Sequence, residues 1–183
     1  MKRFPKIMLV MVPLIGFLVA LFDPLRRTGT ATRASKVRTQ ATLKDMVLGL
    51  QSYHVDYGRW PVSGSNEVKM PCAGALLQIL LGDNVDGLNV RGIAYIEPPM
   101  SRKGFGGLIG TVGAFQLTDA WGHPYVILLD TNGDGKLANP DVKNTGAGIS
   151  ASAPAQIVAE VAAFTLGPDG IEGTKDDVVS WRP

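Results

Sequence analysis

Residues 7–22 run for sixteen positions without a charged side chain, between Lys2, Arg3 and Lys6 on one side and Asp23, Pro24, Arg26 and Arg27 on the other. A stretch this apolar must be taken out of water, and its length is slightly under the ~20 residues of a helix that spans a bilayer. It reads as a membrane helix over residues 1–24. Charge on both flanks leaves the orientation undecided by the positive-inside rule. Cleavage as a secretory leader is disfavoured, because no small-x-small site follows Phe22 before Pro24 and Arg26.

What remains of the 183 residues suffices for one globular domain. The single cysteine, Cys72, excludes an intramolecular disulfide, so core packing or a bound metal must stabilise that domain. Residues 1–58 hold nine Lys or Arg against three acids, and residues 59–183 hold nine against thirteen, giving +6 and −4. A basic start beside an apolar run suits a membrane surface. An acidic remainder without a basic aromatic stripe argues against nucleic acid.

Residues 25–58 read as a continuing amphipathic helix. Leu43, Met46, Val47, Leu50, Tyr53, His54 and Tyr57 follow the i, i+3, i+4, i+7 spacing, with Lys44, Asp45, Gln51 and Asp56 elsewhere around the axis. Gly58 stops the helix and Pro61 prevents its return. Residues 59–183 then read as a globular domain. A short helix is expected at residues 73–81, inside a Gly- and Pro-rich connecting region over 62–113. Strands are expected at 113–117, 125–129 and 157–166. The order predicts an α+β fold, with one antiparallel sheet laid against the long helix.

Three local patterns add to this. The helix end Tyr53-His54-Val55-Asp56-Tyr57-Gly58-Arg59-Trp60-Pro61 is the first, and Asp119-Ala120-Trp121-Gly122-His123-Pro124-Tyr125 the second. The third runs from Leu166-Gly167-Pro168-Asp169-Gly170 through Gly173-Thr174-Lys175-Asp176-Asp177-Val178-Val179-Ser180-Trp181. In this order and spacing they resemble the major pseudopilin of type II secretion systems. The resemblance implies a pilin-like fold: a long N-terminal helix, membrane-embedded in its first half, packed on a small antiparallel sheet with a C-terminal calcium loop. It implies a single-pass protein of the bacterial inner membrane with its C-terminal domain in the periplasm. Its partners would be other pseudopilin subunits, as a homo-oligomer or with minor pseudopilins, and the membrane, with no small-molecule substrate. The N-terminus departs from the family. A Gly-Phe junction and a glutamate five residues in are expected; aligned on Phe4, those places hold Arg3 and Met8. Gly16-Phe17 offers another junction, but only five more apolar residues follow it. The alternative reading is therefore a solitary membrane-tethered interaction module that keeps the fold and does not polymerise.

Two acidic loops bear on metal. Asp169 with Asp176 and Asp177 brackets a glycine-rich loop, where Gly170 and Gly173 let several hard oxygens converge at little cost to the chain. Unpaired, such charges repel, so calcium is expected there. The resemblance adds the main-chain oxygen of Leu166 to that ligand set. The loop at residues 130–141 fits an EF-hand start, with Asp130, Asn132 and Asp134 at positions 1, 3 and 5, Gly135 at 6 and Asp141 at 12. A strand before it, Pro140 within it and the short reach of Asp at position 12 favour a metal-free hairpin turn.

Catalytic chemistry finds no support. His54 lies on the helix stripe and His123 in a Gly-His-Pro turn, and no nucleophile elbow, phosphate loop or catalytic context for Cys72 occurs. Trp60, Trp121 and Trp181 read as core plugs. The expectation is a protein that is not an enzyme.

Overall fold

The computed structural model describes residues 8–143 and 153–182, with side chains over 32–142 and 153–182. Arg3, Phe4 and the expected junction between them lie outside the described residues. The chain divides into two compact units, Met1–Val37 and Arg38–Pro183. Every strand among the described residues belongs to the second.

Helix α1 is Met8–Tyr57. From Arg38 on, its buried side chains are Thr39, Leu43, Met46, Leu50 and Tyr53, alternately four and three residues apart, while Lys44, Asp45 and Gln51 are exposed. That spacing keeps one face of a 3.6-residue repeat on the core, and each fully buried side chain of this size contributes about 2 kcal/mol. Gly49 is a contact point: a Cβ there would lie 2.8 Å from both the Tyr95 oxygen and the Ile96 Cγ2. The helix ends at Gly58, whose φ of +63° carries the N–H back to the His54 oxygen at 2.8 Å.

Eight strands follow among the described residues: β1 Val68–Pro71, β2 Gly107–Ile109, β3 Gln116–Thr118, β4 Val126–Leu129, β5 Lys136–Ala138, β6 Gln156–Val158, β7 Val161–Thr165 and β8 Val178–Val179. Helix α2, Gly74–Leu81, lies between β1 and β2 and buries Leu76, Leu77, Ile79 and Leu80. The main sheet has the order β1-β4-β7-β8, antiparallel throughout, while β2-β3 and β5-β6 form two-stranded ribbons.

Strand periodicity gives the main sheet two apolar faces. Ile127, Leu129, Val161, Ala163 and Val178 join Leu43, Met46 and Leu50 of α1 in one cluster. Leu128, Ala162, Phe164 and Val179 turn the other way and meet Leu137 and Ile157 of the β5-β6 ribbon. Strand β7 is therefore buried at every position, which is why its sequence does not alternate.

The expected fold class is corrected by these findings. No described part of the long helix α1 is apolar over a length that would embed it in a membrane, and in place of one small antiparallel sheet the body is mostly β, with its strands divided among three separate sheets. The run expected as one strand over residues 157–166 breaks at Ala159 and Glu160, sending β6 to β5 and β7 to β4. Among the described residues no helix is long and apolar enough to cross a membrane. Among the described residues the uncharged part of α1, residues 8–22, is fifteen residues, about 22 Å of helix against a hydrocarbon core of ~30 Å. The expectations of a transmembrane helix and a single-pass inner-membrane placement are overturned with it.

Candidate functional site

The C-terminal loop between β7 and β8 carries the four expected ligand residues. Thr174 organises it: the hydroxyl lies 2.6 Å from Asp176 Oδ1 and 3.4 Å from Asp177 Oδ1. Asp176 Oδ2 accepts from the N–H of Asp169 at 3.2 Å, Asp169 Oδ1 accepts from the N–H of Ile171 at 2.8 Å, and Asp177 Oδ2 accepts from the N–H of Gly173 at 2.7 Å. Leu166, at the loop's start, packs its side chain against the second apolar cluster. Gly167 must be glycine, since a Cβ would stand 2.4 Å from the Asp176 oxygen and its φ is +62°.

Two neighbouring acids titrate in opposite directions. Burial pushes the Asp177 carboxyl up to about 6, with the charge of Asp176 adding to the effect and the Gly173 and Thr174 main-chain amides opposing it. Burial also works against ionised Asp176, but its bonds to the Thr174 hydroxyl and to the main chain and side chain of Asp169 prevail and hold it below the ordinary carboxylate range. The loop thus brings Asp169 to Asp176 and Asp176 to Asp177 as successive pairs. Among the described residues, no three His, Cys, Asp or Glu side chains are grouped as a metal ligand set. The donor chemistry of carboxylates, a hydroxyl and main-chain oxygens fits a hard cation such as calcium, and buried Asp177 is an acid whose ionisation needs a compensating positive charge.

The second pattern docks on this loop. Asp119 is fully buried, and its Oδ1 accepts from the N–H of Trp121 at 2.8 Å and of His123 at 2.9 Å. Its Oδ2 accepts from the hydroxyl of Thr165, the last residue of β7. The imidazole of His123 reaches the Gly167 oxygen from Nδ1 at 2.7 Å. A main-chain oxygen only accepts, so Nδ1 carries the proton. No family model, curated protein or solved structure matches this chain. A functional reading therefore rests on the geometry and on the three patterns themselves.

The first pattern is also a set of contacts. Trp60 is buried, donates from Nε1 to the Asp130 oxygen at 2.6 Å, and stacks on His54 with ring centroids 4.2 Å apart. The hydroxyl of Tyr53 donates to the Leu88 oxygen at 2.7 Å, and that of Tyr57 to Asn89 Oδ1 at 2.9 Å. Cys72 is buried in the core, which pushes its thiol up to about 12 and keeps it from acting as a thiolate nucleophile.

The loop at residues 130–141 satisfies its own acids. Asp130 Oδ1 accepts from the N–H of Gly133 at 2.7 Å and its Oδ2 from that of Gly135 at 2.6 Å. Asp141, the acid at position 12, accepts instead from Trp181 Nε1 at 3.0 Å and Arg182 Nη2 at 3.1 Å. Sequence reasoning placed the aspartates but missed Thr174 and the reach of His123. Thr174 could have been found as a hydroxyl two and three residues before paired acids, whereas nothing local signals a contact 44 positions away.

Proposed function

We propose that this chain is a non-enzymatic assembly subunit of the kind that builds pseudopili in type II secretion and type IV pilus-like machines, with a C-terminal loop closed by calcium. The meeting of the second and third patterns carries the reading: His123 bonds Gly167, and Asp119 bonds Thr165, the residue just before the third pattern, so residues that resemble the pseudopilin signatures act together to fix one loop. Both histidines and the cysteine are engaged in packing or main-chain bonds, which favours a structural role over a catalytic one. Partners are other copies of the chain or related subunits, rather than a nucleic acid or a small-molecule substrate.

The test is lysine-directed cross-linking of the full chain in calcium and in chelator. A ladder of discrete multimers that needs calcium, and that Asp176→Ala reduces, is the expected outcome. A chain that remains monomeric at high concentration in calcium overturns the assembly role.

A further inference from the structure

Between α2 and β2 the chain forms a groove and, directly after it, a projecting turn. The groove lies where residues 95–99 run against α1, at the close approach that Gly49 permits. Leu48 on the helix side and Pro98 and Pro99 on the other wall a volume of about 400 Å³, and the carboxylates of Asp45 and Glu97 also line it. Leu48 is 60% exposed, a large apolar side chain left in water on a helix whose other face is packed.

The turn is Arg102-Lys103-Gly104-Phe105. Lys103 has a φ of +60° and Gly104 a φ of +84°, the two positive values that a type I′ turn needs. Glycine adopts them freely, but a lysine avoids them, so the surroundings must impose the conformation. The N–H of Phe105 donates to the Arg102 oxygen at 3.3 Å, the Ser101 hydroxyl to the Phe105 oxygen at 3.1 Å, and the N–H of Gly106 to the Asp119 oxygen at 2.6 Å. The result is a stiff projection. The Phe105 ring rests on Gly122, where a Cβ would come within 3.3 Å of it, yet Phe105 remains 53% exposed and Met100, just before the turn, 59%. Arg102 and Lys103 are exposed beside them. Among the described residues, no ion pair or side-chain hydrogen bond engages Asp45, Glu97, Arg102 or Lys103.

Groove and turn complement each other. One is an apolar slot with two carboxylates; the other is an aromatic knob with two cations. Phe105 is not among the residues that line the groove of its own chain. We propose that two copies of this chain pair through these features, the Phe105 turn of each entering the groove of the other so that Arg102 and Lys103 meet Asp45 and Glu97. The choice of a second copy as partner rests on the assembly reading above, and calcium plays no part in the contact. Since only Met100 and Ser101 separate Pro99 from Arg102, groove and turn are neighbours on the surface, and one contact made twice about a two-fold axis satisfies both copies. A buried aromatic ring with charge pairs around it has the form of an interface hot spot.

The experiment measures self-association of the full chain by sedimentation in chelator, with the fold checked by circular dichroism. One variant, Arg102→Glu with Lys103→Glu, reverses the turn; another, Asp45→Lys with Glu97→Lys, reverses the groove. The native chain should form a dimer that weakens as salt is raised. Each variant alone should associate about tenfold or more weakly, as should Phe105→Ser, whereas an equimolar mixture of the two charge-reversed variants should form a one-to-one heterodimer. Recovery on mixing cannot come from unfolded chains. Weakening without recovery on mixing overturns the pairing. Native self-association that none of the variants alters also overturns it and leaves the assembly reading standing. A native chain that stays monomeric at high concentration, in calcium as in chelator, overturns both.

Discussion

Asp141 receives the indole N–H of Trp181 across 3.0 Å, tying the 3-10 turn at Pro140–Lys143 to the end of the chain. Arg182 adds a second bond to the other carboxylate oxygen at 3.1 Å. Asp141→Ala leaves a part-buried indole N–H and a guanidinium without their acceptor, a loss of about 1–3 kcal/mol. The melting temperature should fall by several degrees, equally in calcium and in chelator. A fall confined to calcium would place Asp141 in a metal site instead.

Asp119 is the acceptor for two main-chain N–H groups and the Thr165 hydroxyl at a fully buried position. Its replacement by Ala strands all three donors, so Asp119→Ala should cost at least as much as any other single change in this domain, about 3 kcal/mol or more. Thr165→Val removes one partner only and should cost less. Urea unfolding of the two variants, compared at equal m-value, checks the order.

Calcium should stabilise the domain by linkage. At 100 times its dissociation constant, a ligand adds roughly 2.7 kcal/mol, which melting in calcium and in chelator would show as a shift of several degrees. Asp169→Ala and Asp176→Ala should each remove most of that shift. Coincident curves for the native chain would exclude a structural calcium site in this loop.

The pH dependence follows from Asp177. Its folded-state pKa of about 6 lies above the ordinary 3.8, so the folded chain holds this proton more tightly than the unfolded chain. The stabilisation is complete below the ordinary value and is lost as pH rises toward and through about 6. Asp176, held low, contributes in the opposite sense, and its stabilisation is lost in more acid solution. In chelator, the melting temperature of the native chain should therefore decline between about pH 4 and 6 and level off beyond. Asp177→Asn should flatten that decline, and calcium should offset it by supplying the missing positive charge.

Gly49→Ala sets two effects against each other. Alanine is about 1 kcal/mol better than glycine inside a helix, but the new Cβ would lie 2.8 Å from the Tyr95 main-chain oxygen. Overpacking of this kind costs about 1–3 kcal/mol, and a backbone atom yields less readily than a side-chain tip. A net loss of stability by thermal melting is expected. A stabilised variant would show that the segment at Tyr95 and Ile96 moves aside freely.

How much of this was legible depended on how local the cause is. The stripe Leu43, Met46, Leu50 and Tyr53 announces itself by spacing alone, and β4 and β7 by dense apolar runs. Strand β1 was concealed because Pro71 closes it and a proline within a run argues against a strand. Strand β8 has only two residues, too few to carry a pattern. The break at Ala159 and Glu160 was hidden because both halves are apolar, and only their different partners separate them. At the candidate site the aspartates were visible as a cluster, while Thr174, Asp119 and His123 acquire their parts through contacts that only the fold creates. The short reach of Asp141 already argued against a ligand at position 12, but sequence spacing could not reveal Trp181 as its partner.

The strand order β1-β4-β7-β8 also determines how this sheet can meet other chains. Its two margins are β1, four residues that include Lys69 and end in Pro71, and β8, only two residues long. On β8 the Val179 oxygen already accepts from the Gln40 amide of α1 at 3.1 Å. Short margins bearing proline and lysine present few free main-chain groups for a foreign strand to pair with. Recruitment by strand addition is thereby discouraged, and neighbours are left to recognise side chains and loop shape, which tolerate reversible contact better than a continuous hydrogen-bonded ladder would.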